Sequence, residues 1–345
     1  MGGAMRATTS AENPAQAGVH TGLQVSVVVP TRGRLDLLER SLAALARQDF
    51  AAGAFEIIVV DSAPHRNTLQ LVAGWRARTL DRGMRLVYVA GDGARAPGAA
   101  RNRGWRIAKA PIIAFTGEGM VAAPDWLSQG LAGFNDQTDV LCGRIESPHR
   151  PVPAAHERDA GAPAAADIVA ANCFCRRGVL DALGGFDERF GAGWREDIEL
   201  HFRLLKMHAN IARSPLATVV HPAPPAPWGA SLLELHKISF DALLFKKHPE
   251  LYRQKIHRLP RWEEYAIVAA LVVAVSGLTA GHEIGSVIGC GAWLVLTAIL
   301  AIRRLDGAAH TAANIADMLI TSALIPPVAV FWRLLGAIKY RVRFG

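Results

Sequence analysis

The sequence predicts an α/β domain, a Rossmann-like mixed sheet with helices on both faces, followed by membrane helices in the C-terminal third. Three observations carry this. Short runs rich in Val and Ile, at residues 25–29 and 55–60, read as strands buried on both faces. Between them lie segments whose apolar residues recur at helical spacing, Leu35, Leu38, Leu42 and Leu45 first among them. Beyond Tyr265 that alternation gives way to long apolar stretches.

Residues 1–22 are small and polar with no apolar core, which predicts a disordered lead-in and not a signal peptide. A domain over 23–228 opens with the strand Val25-Ser26-Val27-Val28-Val29-Pro30, the turn Thr31-Arg32-Gly33 and the leucine-striped helix. A second strand over 55–60 ends at Asp61-Ser62, a helix follows over 68–78, and a third strand over 85–89. This βαβαβ order implies a parallel sheet with right-handed crossovers, in which ligands bind beyond the carboxyl ends of the strands. Pro30, Thr31, Arg32 and Asp61 stand at such ends. Asp61 either caps its own turn or contacts the ligand.

Gly98-Ala99-Ala100-Arg101-Asn102-Arg103-Gly104 runs into a helix through Ala108. It is either a glycine-rich helix start or a backbone cradle with Arg101 near a diphosphate. It is neither a Walker loop nor a Rossmann fingerprint. A fourth strand over 111–115 ends in Thr116-Gly117-Glu118-Gly119, followed by Pro124-Asp125-Trp126-Leu127. Further on, Gly184-Gly185-Phe186-Asp187-Glu188 precedes Trp194-Arg195-Glu196-Asp197-Ile198-Glu199-Leu200. Leu200, Leu204 and Leu205 give an apolar helical stripe, so Glu196, Asp197 and Glu199 sit at a loop-to-helix entrance where the dipole favours negative charge. They are either an acidic first turn or a general base at the lip of a cleft.

In this order and spacing, Pro-Thr-Arg, Val-Val-Asp, Ala-Arg-Asn-x-Gly, an acidic turn, Pro-Asp-Trp-Leu, Gly-Gly-Phe-Asp-Glu and Glu-Asp-x-Glu-Leu resemble the family 2 glycosyltransferases of the GT-A fold, from about Val25 to Pro222. The resemblance implies inverting transfer from a nucleotide-diphosphate sugar, with a place in cell-envelope polysaccharide or glycolipid synthesis. It assigns the donor to Pro30, Thr31, Arg32, Asp61, Arg101, Asn102 and Glu118. Ser62 stands where a second aspartate is common. It makes Asp197 the general base, with Glu196 or Glu199 orienting the acceptor or raising the base's pKa through like charge. Trp194 and Arg195 fall on the acceptor side, Trp194 either stacking on a sugar or packing.

The family usually has Asp-x-Asp in the acidic turn; here Gly117 and Gly119 flank Glu118. Glu118, with His221 at the end of the strand over 217–220, is then the remaining metal set for Mg²⁺ or Mn²⁺. His221 is otherwise structural. The alternatives are that Arg32, Arg101 or Arg195 replaces the metal at the diphosphate, or that the domain only binds. Arg203 is expected to pair with Glu199 one turn away.

Net charge is +8 with 38 Lys and Arg. No dense basic run with interleaved aromatics occurs, so nucleic acid is excluded in favour of phosphorylated ligands and an anionic membrane face. Cys142, Cys173, Cys175 and Cys290 have no zinc spacing and imply no disulfide framework. A stretch rich in Pro and Ala over 147–166 is either an acceptor loop or a linker. Residues 223–227 close the domain.

Residues 229–262 read as amphipathic juxtamembrane helices, with Lys246, Lys247, Arg253, Lys255, His257 and Arg258 among Leu and Phe. Residues 263–304 read as a transmembrane hairpin turning at Gly281-His282-Glu283. Arg258 and Arg261 before it, and Arg303 and Arg304 after it, put both ends and the catalytic domain on the cytoplasmic side of an inner or plasma membrane. Residues 305–345 hold a third apolar segment, broken by Pro326-Pro327, and a basic tail; an interfacial segment fits the charges better than a third span. The expectation is a membrane-associated transferase acting on a lipid or lipid-linked glycan. Against it stand a non-catalytic sugar-nucleotide-binding scaffold and a transporter-like protein with a soluble head, the latter disfavoured by short spans without intramembrane charge.

Overall fold

The computed structural model describes residues 22–93, 96–147, 170–191, 193–222, 229–256, 261–306 and 311–343. The lead-in up to residue 21, the Pro/Ala-rich stretch from 148, the closing prolines at 223–227, and His257 and Arg258 lie outside the described residues.

One sheet holds β1 (Val25–Thr31), β2 (Phe55–Asp61), β3 (Arg85–Ala90), β4 (Ile112–Phe115), β5 (Val121–Ala122), β6 (Val140–Glu146), β7 (Cys173–Arg176) and β8 (Ile211–Val220), in the order β3-β2-β1-β4-β7-β6-β8-β5. The first four strands pair in parallel, β7 runs antiparallel to both β4 and β6, and β6 pairs in parallel with β8. Helices α1 (Leu35–Leu45), α2 (Arg66–Thr79), α3 (Pro97–Ile107), α4 (Trp126–Ala132), α5 (Arg177–Leu183) and α6 (Glu196–Lys206) accompany it. Side chains alternate along β1: Val25, Val27 and Val29 meet α1 through Leu38 and Leu42, and Val28 meets Trp105 of α3. Both faces are covered, which is why the strand reads as a continuous apolar run. At Gly104 of α3 an added Cβ would lie 2.4 Å from Val28 Cγ1, so only glycine lets this helix rest on β1.

The sequence reading missed β5, β6 and β7 and shortened β8 to its last four residues. Pairing explains the last: the β6–β8 register jumps from Gly143↔Ser214 to Arg144↔Thr218, an irregularity that accommodates Pro215 inside a strand. The Cys173-Phe174-Cys175 stretch is a strand beside β4, and all four cysteines are free.

Helix α6 is buried on two sides. Leu200 and Leu204 face the sheet; Ile198 and Phe202 pack with Phe190 and with Leu243, Leu244 and Tyr252 of the helices that follow the sheet domain. Those helices are α7 (Ala230–Glu234), a 3-10 turn (Leu235–Ile238), α8 (Ser239–Lys247) and α9 (Pro249–Lys255). Then come α10 (Trp262–Thr279), α11 (Glu283–Leu305) and α12 (Ala312–Tyr340), each long and apolar enough to cross a membrane. α10 and α11 form a close hairpin in which a Cβ at Gly289 would lie 2.4 Å from Ala274 N. The expected break at Pro326-Pro327 does not occur: α12 is one helix through both prolines, with Pro326, Ala329 and Val330 buried against its neighbours.

Candidate active site

The carboxyl ends of β1 and β4 meet at Glu118. Its Oε2 accepts from Thr31 Oγ1 at 2.5 Å and from the Arg32 backbone N–H at 3.1 Å; its Oε1 accepts from Arg34 Nε at 2.9 Å. Glu118 N donates to Pro30 O at 3.3 Å, so Pro30 fixes the turn through its backbone. At the end of β2, Asp61 is fully buried and accepts from Ala63 N at 3.2 Å, His65 N at 3.2 Å and Tyr88 Oη at 3.1 Å. Its capping role is therefore in the structure. Burial, followed by the Asp61 charge, pushes the Tyr88 hydroxyl up.

Asn102 is spent on architecture. Its Nδ2 donates to Phe186 O at 2.8 Å and Glu188 Oε1 at 2.7 Å, while its Oδ1 accepts from Phe186 N at 2.8 Å and Trp105 Nε1 at 3.0 Å. This ties α3 to the Gly184–Glu188 loop, where Gly185 adopts φ +79° and a Cβ would fall 2.2 Å from Asn102 Oδ1. Arg203 does more than pair with Glu199 at 2.8 Å; it also donates to Leu183 O at 2.7 Å and Gly185 O at 2.6 Å, locking the same loop.

The first turn of α6 carries the candidate chemistry. Glu196 is buried, its Oε1 3.3 Å from Arg101 Nη1. Glu196 Oε2 and Arg101 Nε are buried with no hydrogen-bond partner. Burial first, and the neighbouring Asp197 second, raise the Glu196 carboxyl to about 7, although Arg101 opposes both. Asp197 is partly exposed, and its Oδ2 accepts from Ala170 N at 3.3 Å. Ala170 leads into β7, whose Cys173 pairs with Phe115 at the end of β4. Asp197 therefore stands at the carboxyl edge of the strands, on the Glu118 side of the sheet. Glu199 faces away from that edge. Burial alone would raise its pKa, but His248, Arg203 and Lys247 hold it down.

Trp194 and Arg195 point to a residue the sequence reading passed over. Trp194 Nε1 donates to Asp241 Oδ1 at 3.0 Å, and Arg195 Nε donates to the same oxygen at 2.7 Å. Arg195 precedes α6 at φ +72°, a left-handed conformation uncommon outside glycine. Asp241 lies in α8, and its other oxygen accepts from Arg195 Nη2 and Tyr252 Oη, each at 3.3 Å. The signal available in the sequence was weak: Asp241 is one of three acids, with Glu234 and Glu250, among the Lys, Arg and His of residues 229–262. Lys247 likewise bonds both Asp187, at 2.6 Å, and Glu199.

The residues present do not form a metal site of the family's kind. Both Glu118 oxygens are engaged by Thr31, Arg32 and Arg34, and Gly117 and Gly119 offer no side-chain ligand. Among the described residues no group of three or more His, Cys, Asp or Glu could hold an ion. His221 is half-buried, its pKa lowered by burial and by Arg34, and its backbone N–H bonds Glu146 O at 2.7 Å.

Residues 26–177 match the family described as Glycosyl transferase family 2, and this part of the chain is a domain of that family in the GT-A fold. The chain is 38% identical over 110 residues to validoxylamine A glucosyltransferase of Streptomyces hygroscopicus subsp. jinggangensis, covering 31% of this chain and 25% of that protein. It is 30% identical over 141 residues to pre-mycofactocin glycosyltransferase of Mycobacterium tuberculosis, covering 36% and 30%. The chain thus spans only about a quarter of the curated relatives' length. Among solved structures it is similar in fold to the mannosyltransferase PcManGT of Pyrobaculum calidifontis in complex with GDP-Man and Mn²⁺, with a TM-score of 0.60 at 20% identity, covering 90% of this chain and 88% of that one.

Proposed function

We propose that the chain is a membrane-associated inverting glycosyltransferase that moves a sugar from a nucleotide-diphosphate donor to a hydroxyl of a lipid or lipid-linked glycan, with its catalytic domain on the cytoplasmic side. The observation that supports this best is Asp197, partly exposed at the carboxyl edge of the strands with the buried Glu196–Arg101 pair behind it. Asp197 takes the acceptor's hydroxyl proton as that oxygen bonds to the anomeric carbon. The bond from that carbon to the diphosphate breaks on the opposite face, and the nucleoside diphosphate departs. Arg32, exposed beside Glu118, and Arg34, held there by its Nε–Glu118 bond with the rest of its exposed guanidinium open, stand where the leaving charge develops, while Arg101 and Arg195 are engaged by Glu196 and Asp241. Glu118, with both oxygens engaged, and His221 do not make a ligand set for Mg²⁺ or Mn²⁺.

A second reading, a domain that binds sugar nucleotide without turnover, is favoured by the same engagement of Glu118. Calorimetry with UDP- and GDP-sugars, with and without Mn²⁺, identifies the donor and any metal requirement. Radiolabel transfer to extracted lipid with the wild type and Asp197→Asn then separates the readings. Transfer lost in Asp197→Asn with donor binding kept supports the base. Near-normal transfer by Asp197→Asn removes the base, and binding without turnover by the wild type favours the scaffold.

A further inference from the structure

Helix α12 has the length and composition of a third membrane span, about 43 Å for its 29 residues. Its contacts say otherwise. Near its start, Asp317 Oδ1 accepts from Gly229 N at 3.0 Å; at its end, the Tyr340 carbonyl accepts from Lys246 Nζ at 2.8 Å. Between these, Gly336 is pressed so closely on α8 that a Cβ would lie 2.6 Å from Ser239 O, and Trp332 meets the His236 ring. One continuous stretch from 229 to 247 therefore runs beside nearly the whole of α12. That stretch carries Glu234, Lys237, Asp241, Lys246 and Lys247, and reaches the catalytic helix through Asp241–Arg195 and Lys247–Glu199. Taking α12 across a bilayer would drag these charges through hydrocarbon.

The hairpin contacts agree. Glu263 of α10 pairs with Arg303 of α11, so Glu264 and Arg304 both lie at the open end of the hairpin. Arg333 reaches Glu264 at 2.9 Å, and Arg304 reaches Thr321 and Ser322 at 2.8 Å. Twelve residues of α12, about 18 Å, thus lie against that one end.

The free side of α12 is apolar. Ile320, Leu324, Phe331, Leu334 and Ile338 are exposed and fall within about 80° of arc, at about 100° per residue. Met318, Ser322, Ala329, Arg333 and Gly336 are buried on the opposite side. Arg341 and Arg343 follow directly. We propose that α12 lies flat in the headgroup boundary of the leaflet facing the catalytic domain, its apolar stripe in the acyl chains. The chain then has two spans, and its basic tail stays on the catalytic side. The occupant of the stripe is lipid, because the stripe continues from the open end of the exposed, apolar α10–α11 hairpin. The inference rests on that hairpin crossing the membrane.

The test uses the full chain in sealed vesicles of phosphatidylcholine and phosphatidylglycerol, with Cys290→Ala removing the exposed native thiol. Single cysteines at Gln137, His282 and Arg343, all exposed, are treated with a membrane-impermeant maleimide. Gln137→Cys and Arg343→Cys are expected to react from one side and His282→Cys from the other. Arg343→Cys reacting with the His282→Cys side overturns the flat helix. His282→Cys reacting with the Gln137→Cys side overturns the hairpin itself, and the assignment of α12 with it. A bimane at Leu324→Cys or Leu334→Cys then reads depth by nitroxide-lipid quenching. Equal, shallow depths are expected. A difference near 15 Å, the rise of ten helical residues, means a span, and no quenching at either site means no membrane contact; both overturn the proposal.

Discussion

Two groups of carboxylates, at the carboxyl ends of the strands and at the start of α6, are satisfied in opposite ways. At the ends of β1, β2 and β4, Glu118 and Asp61 are saturated by nearby donors: both oxygens of Glu118 are bound, and Asp61 accepts from two backbone N–H groups and Tyr88. At the entrance of α6, Glu196 Oε2 and Arg101 Nε are buried without partners, and Asp197 is partly open. The first edge is finished by local turns, with Arg32 and Arg34 exposed beside it. The second is assembled from side chains of α3, α6 and α8 and keeps unspent hydrogen-bonding capacity, which is what the proposed proton transfer would use.

The largest effect that would break this contrast is at Asp197. Asp197→Asn is expected to lower the transfer rate by about 10²–10⁴-fold, the range for a positioned base, with donor affinity by calorimetry unchanged. Next comes Asp241, the acid from the juxtamembrane helix that holds Arg195 at φ +72°. Asp241→Ala is expected to cut kcat by about 10- to 100-fold by letting the first turn of α6 shift, with donor affinity kept. Asp241→Asn, which preserves an acceptor for Trp194, recovers part of it. A parallel loss of donor binding and thermal midpoint in both variants would reduce Asp241 to general scaffolding.

Glu118→Gln sharpens the other side. It removes charge from bonds to Thr31, Arg32 and Arg34 and is expected to cost about 1–3 kcal/mol of stability, read by urea unfolding, with weaker donor binding. An unchanged midpoint would mean the carboxylate does not hold this edge together. The smallest effect is the pH dependence from Glu196. Its folded pKa of about 7 lies above the ordinary glutamate value of 4.5, so the native state holds the proton more tightly. That contribution to stability is present in full below about pH 4.5 and is lost as pH rises through about 7. Glu196→Gln is expected to flatten the decline in thermal midpoint between about pH 5 and about pH 8 relative to the wild type; parallel curves for the two would count against the shift.

Much of this was legible in the chain. Val25 to Val29 and Phe55 to Val60 could only be strands covered on both faces, and the leucines of α1 could only be a helix face, because burial demands those periods. Glu118 and Asp197 stand out as candidates through the family resemblance, their places at strand and helix ends leaving a capping role equally open, while Arg101 reads as either part of a glycine-rich helix start or a diphosphate contact. Partners were beyond reach. Nothing in the spacing separates an Asn102 that contacts a donor from one that makes three bonds to the Gly184–Glu188 loop and a fourth to Trp105. Asp241 sits 46 residues from Arg195 in sequence, and only packing brings the two together. The prolines of α12 mislead for the same reason: local chemistry says break, yet the helix continues through both, with Pro326 buried against its neighbours.

Sequence alone determined the alternating strands and helices, the acidic entrance of α6 and the presence of membrane-length apolar segments, since each follows from the local period of burial. Tertiary structure decided which carboxylates are spent and which are left open. It also decided that Asp241 of α8 reaches Arg195 at the start of α6, and that the last apolar helix runs beside a charged segment. These depend on contacts between residues far apart in the chain, whose hydrogen bonds and desolvation are set only when the elements pack.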